Sequence, residues 1–275
     1  HLDLDAHLDL NQPARTWASI HRLAASTKHS SFTLSGKLLQ PLTDMQLQLR
    51  LGANAYLPEF ADLLPENIEL HGRVKTNMDI QASLQDLMAM QLDRARLSGK
   101  LHFYDFIGDM YDMELSSPEM HIAFALPHAQ PVNKQCAWAN ANISFTELEF
   151  SKTTELYAGI DAAEIELSLS NILQDKSLWH ADLHLRSTGN LEAQMDTISA
   201  SIAQPQLHAQ VQNFNPNDSA AIPTATLALS LAQLQAFYGQ AKVQSHTTDL
   251  QLALSPSELD SSIPVMMASL DAEAL

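Results

Sequence analysis

Histidine and aspartate alternate at the start of the chain, where His1, Asp3, Asp5, His7 and Asp9 share one phase of a period-two pattern. Imidazole and carboxylate groups are ligands of Zn²⁺ and Mn²⁺, so this segment is the first candidate for metal chemistry. In an extended strand, residues i and i+2 lie about 6.6 Å apart, too far for several of them to close on one ion. We therefore interpret the segment as the solvated face of an amphipathic strand, and we predict no metal site and no cofactor.

The remaining histidines do not form a known catalytic pattern. The chain has twelve histidines, but it has no His-Glu-x-x-His segment and no serine or cysteine in a nucleophile elbow. His71, His102 and His184 fall on the polar phase of alternating segments. The paired carboxylates and aromatic sugar platforms of a glycan-acting enzyme are also missing. The sequence therefore predicts a protein that is not an enzyme.

Composition limits the partners of this chain. The 275 residues are 45% hydrophobic, which is enough for a sizeable core, and carry a net charge of −17. A charge of this size repels a polyphosphate, so we predict no nucleic-acid partner. The lone Cys136 excludes an internal disulfide framework. The chain begins inside an alternating segment and contains no run of 18 apolar residues, so we interpret it as a piece of a longer protein.

A clear alternation of apolar and polar residues runs through most of the chain and predicts β-strands with one apolar and one polar face. The longest example is Ile68–Ala82, in which Gly72 marks a bend or bulge, and a phase slip near Glu147 indicates a second bulge. The other predicted strands are Leu2–Leu10, Met45–Ala53, Leu97–Phe103, Met120–Leu126, Ile143–Phe150, Ile165–Leu169, Trp179–Leu185, Leu191–Met195, Leu207–Val211, Ala225–Leu231 and Leu250–Leu254. The predicted fold is mainly β, with long antiparallel amphipathic strands that form a curled sheet or groove.

A few short helices are expected in the N-terminal third. Asn11 and Pro13 resemble a helix start, and Trp17, Ile20 and Leu23 have helical spacing. A second helix is predicted over Leu57–Leu64, with Pro58 in its first turn and Pro65 directly after its end. The third, Leu84–Met90, would begin at a capping box formed by Ser83 and Asp86.

A pentapeptide with the pattern Leu-x-Gly-[Lys/Arg]-[Leu/Val] occurs three times, at Leu34–Leu38, Leu70–Val74 and Leu97–Leu101. A unit repeated about every 30 residues favours an extended repeat architecture over a compact enzyme. We predict a repeat region over 1–127, a linker over 128–135 that is rich in proline and polar residues, and a second antiparallel β region over 136–254. Residues 255–275 have no clear period and are interpreted as a linker or a truncated end.

The segments Asp44–Pro58, Ile68–Val74 and Leu87–Asp93 resemble AsmA-like proteins of Gram-negative bacteria, in particular those of Bacteroidetes. The resemblance covers about a third of the chain. It implies a groove of antiparallel strands in the periplasm, with the parent protein anchored in the inner membrane by a segment outside this chain. It further implies that phospholipid acyl chains pass along the groove between the inner and outer membranes, in a role in outer-membrane biogenesis. A protein partner in the cell envelope is expected, but the sequence does not identify it.

The predicted site is the apolar face of the strands, because an uncovered face of this size would need acyl chains, helices or a second sheet against it. The lining residues predicted from their phase are Leu47, Leu49, Leu51, Leu70, Val74, Met78, Ile80, Leu97, Leu101 and Phe103.

Two alternatives use the same alternation. A closed β structural or interaction module of the envelope would bury its own core and bind no lipid. A membrane β-barrel is disfavoured, because the three tryptophans and five tyrosines are scattered and do not form girdles.

Overall fold

The computed structural model of this protein describes residues 2–7, 12, 15–89, 95–126, 139–152, 156–170, 178–215, 222–257 and 264–274. These residues form one large antiparallel sheet of nineteen strands, so the predicted mainly-β class is confirmed. The strands are β1 (Leu2–His7), β2 (Trp17–Ser26), β3 (Ser31–Leu39), β4 (Gln46–Tyr56), β5 (Ile68–Ser83), β6 (Arg96–Met110), β7 (Met113–Leu126), β8 (Ala139–Phe145), β9 (Leu148–Lys152), β10 (Leu156–Ile160), β11 (Ala163–Ser170), β12 (Trp179–Ser187), β13 (Asn190–Met195), β14 (Ile198–Ala203), β15 (Gln206–Phe214), β16 (Thr224–Leu231), β17 (Gln233–Tyr238), β18 (Ala241–Pro256) and β19 (Pro264–Ala274).

The sheet is a meander in which neighbours in sequence pair with each other. Strands β1 to β7 follow one another in order. Beyond β7 each position is shared by two short strands, because β7 pairs with both β8 and β9. One path runs through β8, β11, β12, β15 and β16, and the other through β9, β10, β13, β14 and β17. Both paths meet again at β18, which also pairs with β19.

A line of interruptions, which we call the seam, separates these two paths. Each strand position from β7 to β18 contributes one buried residue to it. The seam residues are Ser117, Phe145, Ala163, Ser187, Pro205, Leu231 and Ser245. The apolar phase changes at most positions of the seam, for example from odd numbers in β8 to even numbers in β9, which confirms the slip predicted near Glu147. Between β12 and β13 it does not change, since Leu185 and Leu191 are both odd-numbered. Where the phase changes, an extra residue resets the alternation, as in a β-bulge.

Polar groups at the seam that have no partner in the strand ladder form hydrogen bonds with other groups at the seam. The Ser187 hydroxyl donates to the carbonyl oxygen of Ala162 at 2.7 Å and accepts from the Gly189 backbone N–H at 3.2 Å. The Asp161 carboxylate accepts from the Asn190 backbone N–H at 2.9 Å. Buried backbone groups without partners would each cost free energy, so these contacts make the interruption tolerable.

The predicted set of short helices in the N-terminal third is not borne out. Trp17, Ile20 and Leu23 lie in strand β2, and Asn11 and Pro13 are outside the described residues. A register shift between Ile20 and Leu23 puts a bulge there. Within the described ranges, helical segments of five or more residues occur at Leu57–Leu63, which is 3-10, and at α1 (Leu84–Met88).

The 3-10 segment is tied to the turn between β2 and β3. The Glu59 carboxylate accepts hydrogen bonds from the Ser30 hydroxyl at 2.5 Å, from the His29 backbone N–H at 2.8 Å and from the Thr27 hydroxyl. These donors lower the pKa of Glu59, with the Ser30 hydroxyl contributing most. Phe60 packs edge-on against Phe32 of β3 with ring centroids 5.9 Å apart. The segment therefore covers one corner of the sheet.

Residues 255–275 contain strand β19, which pairs along β18 from Pro256 to Ser245. The predicted linker over 128–135 lies outside the described residues. No helix in the described ranges has both the length and the apolar composition that crossing a membrane requires.

Gly72 is predicted to be essential for the bulge between β5 and β6. Its φ is +99°, and an added Cβ would lie 2.4 Å from the Asp105 carbonyl oxygen and 2.6 Å from that of Tyr104. We expect Gly72→Ala to lower the free energy of unfolding by about 3 kcal/mol or more, because both strain and a backbone clash result. Urea unfolding measures this change.

Gly239→Ala is the matched control, because Gly239 also has positive φ (+57°) but no atom lies within 4 Å of the added Cβ. Strain alone should then cost about 1 kcal/mol. Equal losses in the two variants would contradict a steric role for Gly72.

Candidate functional site: the apolar face of the sheet

The cross-strand register aligns apolar residues in rows that run perpendicular to the strands. One row passes through Ile143, Ile165, Leu185, Leu207 and Leu229 and reaches Leu250 and Leu270 at the far edge. Toward the N-terminus it continues through Ile122, Leu101 and Thr76. Side chains that face each other in an antiparallel pair lie on the same face of a sheet. The register therefore gathers the apolar residues of distant strands into one continuous face.

The ten predicted lining residues all lie in strands of this face. Leu47, Leu49 and Leu51 of β4 stand opposite Ala82, Ile80 and Met78 of β5. On the other side of β5, Ile80 pairs with Leu97, Val74 with Phe103, and Leu70 with Gly108, while Thr76 pairs with Leu101. All ten are half-buried. Their geometry meets the expectation of a shared face, and their role as a lipid lining stays a prediction.

A glycine lets two large side chains meet at the centre of this face. Gly99 lies between Met78 and Phe124 in the register. A Cβ at Gly99 would lie 2.9 Å from Met78 Cγ and 3.0 Å from Phe124 Cζ. Gly99, the glycine of the third pentapeptide, therefore makes room for neighbouring side chains. Gly36 and Gly72, the glycines of the first two pentapeptides, lie at bulges and have φ of +143° and +99°.

This face lacks a cover over most of its extent. Apart from Pro205, six apolar side chains among the described residues are buried; four of them are alanines, and the other two are Phe145 and Leu231 at the seam. The accessible surface of the chain is 17826 Å², whereas a compact monomer of 30.3 kDa would expose about 12,000 Å². At the edges the face is open, with Leu2 exposed by 59% and Met266 by 73%. The described residues therefore form a single layer with no closed hydrophobic core.

The opposite face is polar and acidic. Arg50 and Asp79 pair across β4 and β5 at 2.9 Å, and both are solvent-exposed, so this ion pair adds little stability. A shallow depression of about 620 Å³ lies on this face between β5 and β11, lined by residues such as Asp79, Lys100 and Asn142. Its walls are both polar and apolar, with Phe124 and Leu167 among the lining residues.

Two pairs of histidines face each other across strands on the polar face. His102 and His121 meet with ring centroids 4.1 Å apart, and His184 and His208 stack at 3.9 Å. Burial, followed by the neighbouring charges of His121 and Lys100, lowers the pKa of His102. His102 and His184 fall on the polar phase of the sequence, but only the register of the strands identifies their partners.

At the N-terminal edge, His21 Nε2 lies 2.8 Å from Asp5 Oδ2, and this hydrogen bond raises the pKa of His21. His1 and Asp9 of the alternating His/Asp segment lie outside the described residues.

Thr76 places a hydroxyl in the apolar face, where its Oγ1 is buried and has no hydrogen-bond partner among the residues that the structure describes. We expect Thr76→Val to raise the free energy of unfolding by about 0.5–1 kcal/mol, because the unsatisfied group is removed while the shape is kept. Chemical denaturation tests this, with Thr226→Val on the exposed polar face as control. A loss of stability in Thr76→Val that is absent in Thr226→Val would show that the hydroxyl has a partner.

The lowered pKa of His102 predicts a loss of stability on acidification. The unfolded chain takes up the proton near the ordinary value of 6.5, while the folded state resists it. The free energy of unfolding should therefore fall as the pH decreases from about 7.5 to about 5. His102→Gln should show a shallower decrease in urea unfolding at the same pH values. Identical pH dependence in the two proteins would contradict the assignment.

Comparisons with known proteins identify no relative: no family model matches the chain, and no match was found among curated proteins or solved structures.

Proposed function

We propose that this protein is a non-enzymatic lipid-handling protein whose apolar sheet face carries acyl chains. The observation that carries the proposal is the continuous apolar face, which crosses the sheet from β1 to β19 and, in the described residues, is covered only at the corner where the 3-10 segment packs. Uncovered apolar surface of this extent is rare on soluble monomers and marks a binding surface.

The dimensions of the face suit a long ligand. The strands occupy fourteen positions side by side. At a spacing of about 4.8 Å, the apolar rows extend for roughly 60 Å. An extended acyl chain laid along a row would gain about 0.8 kcal/mol for each buried CH₂ group. Because no single residue is required, the face would bind lipid through its continuity and not through a specific polar contact.

The seam supports a groove and not a flat sheet. Bulges bend their strands and increase the local twist, and here they align across consecutive strand positions. Aligned bends curl a sheet along one line. A curled sheet with its apolar face inward would shield acyl chains from water while the acidic face remains solvated.

The alternative of a closed structural or interaction module has less support. Such a module needs a second layer or a filled core, and large buried apolar side chains in the described residues are limited to Phe145 and Leu231. The face could be covered by a second copy of the chain, and the experiment below distinguishes this outcome.

The cellular setting follows from the resemblance to AsmA-like proteins and is part of the proposal. The ligand would be phospholipid, and transfer would take place between the inner and outer membranes of the Gram-negative envelope. The parent protein would be periplasmic and anchored in the inner membrane, with an envelope protein partner at one end of the groove. The net charge of −17 is consistent with a surface that does not bind nucleic acid.

Native mass spectrometry of the protein purified from a Gram-negative host tests the proposal. We expect co-purified phospholipid on the wild-type chain. Leu49→Asp and Val74→Asp should each reduce the lipid-bound fraction at least tenfold, because a carboxylate on the apolar face disfavours acyl chains. Both residues lie in central rows of β4 and β5.

Gln48→Asp and Asn77→Asp are the matched controls, because they add the same charge at exposed positions of the polar face. They should retain lipid, and circular dichroism should show the same strand content in all variants. A folded, lipid-free monomer, or a lipid-free dimer that Leu49→Asp dissociates, would overturn the proposal.

A further inference from the structure

We propose that Asp182, His184 and His208 form a binding site for a divalent transition metal of the Zn²⁺ class on the polar face. The site lies on the face opposite the proposed lipid surface and does not rest on that function. One donor atom from each of the three residues lies within 4.8 Å of the other two. Two imidazoles and one carboxylate are a common ligand set for Zn²⁺.

The register of β12 and β15 brings these residues together. His184 stands directly opposite His208, and Asp182 stands opposite Gln210. Asp182 and His184 are two residues apart on one strand, so both side chains point to the same face. Each of the two strands pairs on both sides, with β11 and β16 as outer neighbours. The ligands are therefore held by the middle of the sheet and not by a loop.

The distances are close to those of a coordinated ion. His184 Nε2 and His208 Nε2 lie 2.9 Å and 3.2 Å from the same oxygen, Asp182 Oδ1. Ligand atoms of a tetrahedral zinc ion with bonds of about 2.0–2.1 Å are about 3.3 Å apart. The imidazole planes are stacked at 14°, so the two rings must tilt relative to each other before both nitrogen lone pairs point at one ion.

Surrounding groups support the carboxylate and offer a further donor. Gln210 Nε2 donates to the second carboxylate oxygen of Asp182 at 3.2 Å, which fixes the orientation of the carboxylate. Glu166 of β11 stands directly opposite His184 in the register and is a candidate for a fourth ligand. Arg186 lies two residues after His184 on the same face, and its positive charge repels a cation. Because Arg186 is solvent-exposed, water screens this repulsion. The chain's net charge of −17 attracts cations overall.

The half-buried position distinguishes this cluster from ordinary surface groups. The side chains of Asp182, His184 and His208 are exposed by 32%, 37% and 43%. The other cluster of this kind in the described residues, Glu69, His71 and Asp109, has one histidine, whose Nε2 is 3.8 Å from a Glu69 oxygen exposed to solvent. The pair His102 and His121 has a nearby Glu119, but these three do not form such a cluster.

Isothermal titration of the untagged full chain with ZnCl₂ at neutral pH tests the site. We expect His184→Gln/His208→Gln to lose one equivalent of bound Zn²⁺. His102→Gln/His121→Gln removes the same number of histidines from the same face and should keep that equivalent. Asp182→Asn should weaken zinc binding at least about tenfold, since it removes the charged ligand.

Circular dichroism establishes that each variant is folded. If the double variant does not fold, Asp182→Asn decides the question alone. Zinc binding that is absent in the wild type, unchanged in both His184→Gln/His208→Gln and Asp182→Asn, or lost equally in the His102→Gln/His121→Gln control would overturn the proposal.

Discussion

The structure depends on keeping most apolar side chains on one side of a single sheet. Alternation does this along a regular strand, but a bulge shifts the phase and would move every later side chain to the other face. The sequence compensates at most positions of the seam, where the apolar residues change between odd and even numbers, as between Phe145 and Leu148. The apolar residues of β6 also change from an odd to an even number at Asp105, whose φ is +50°. Phe103 precedes Asp105 and Phe106 follows it, and their ring centroids lie 5.5 Å apart. Without these shifts the apolar face would be broken into patches.

Strands were predictable where the alternation is clear and were missed where its spacing imitates another structure or is interrupted. Ile68–Ala82 was predicted as a strand and forms β5, with the register shift at Gly72 as expected. The β2 segment was wrongly predicted as helix because its bulge gives Ile20 and Leu23 a spacing of three, which is also the spacing of a helix face. In strand β19 the alternation is interrupted near its start, since Met266 and Met267 are both apolar, and it holds over Ala268–Ala274. It is an edge strand that relies on pairing with β18.

Residues of the two proposed sites differ in how far the sequence can locate them. The apolar lining follows from phase alone, so Leu49 and Val74 could be placed on one face before the structure was known. The acid-x-His pattern of Asp182 and His184 is also visible in sequence, but it occurs elsewhere, as in Glu69 and His71. His208 lies 24 residues beyond His184, and only the pairing of β12 with β15 brings them together.

The meander has a consequence for how the protein folds and varies in length. Each strand position contacts the positions before and after it, and among the described strands β1 and β19 pair on one side only. Such a chain of neighbours resembles a one-dimensional array, in which stability is the sum of units and of the interfaces between them. Loops to be closed during folding are short, so folding can begin at any hairpin and spread outward. Adding or removing a hairpin would then lengthen or shorten the sheet by two positions without changing its topology.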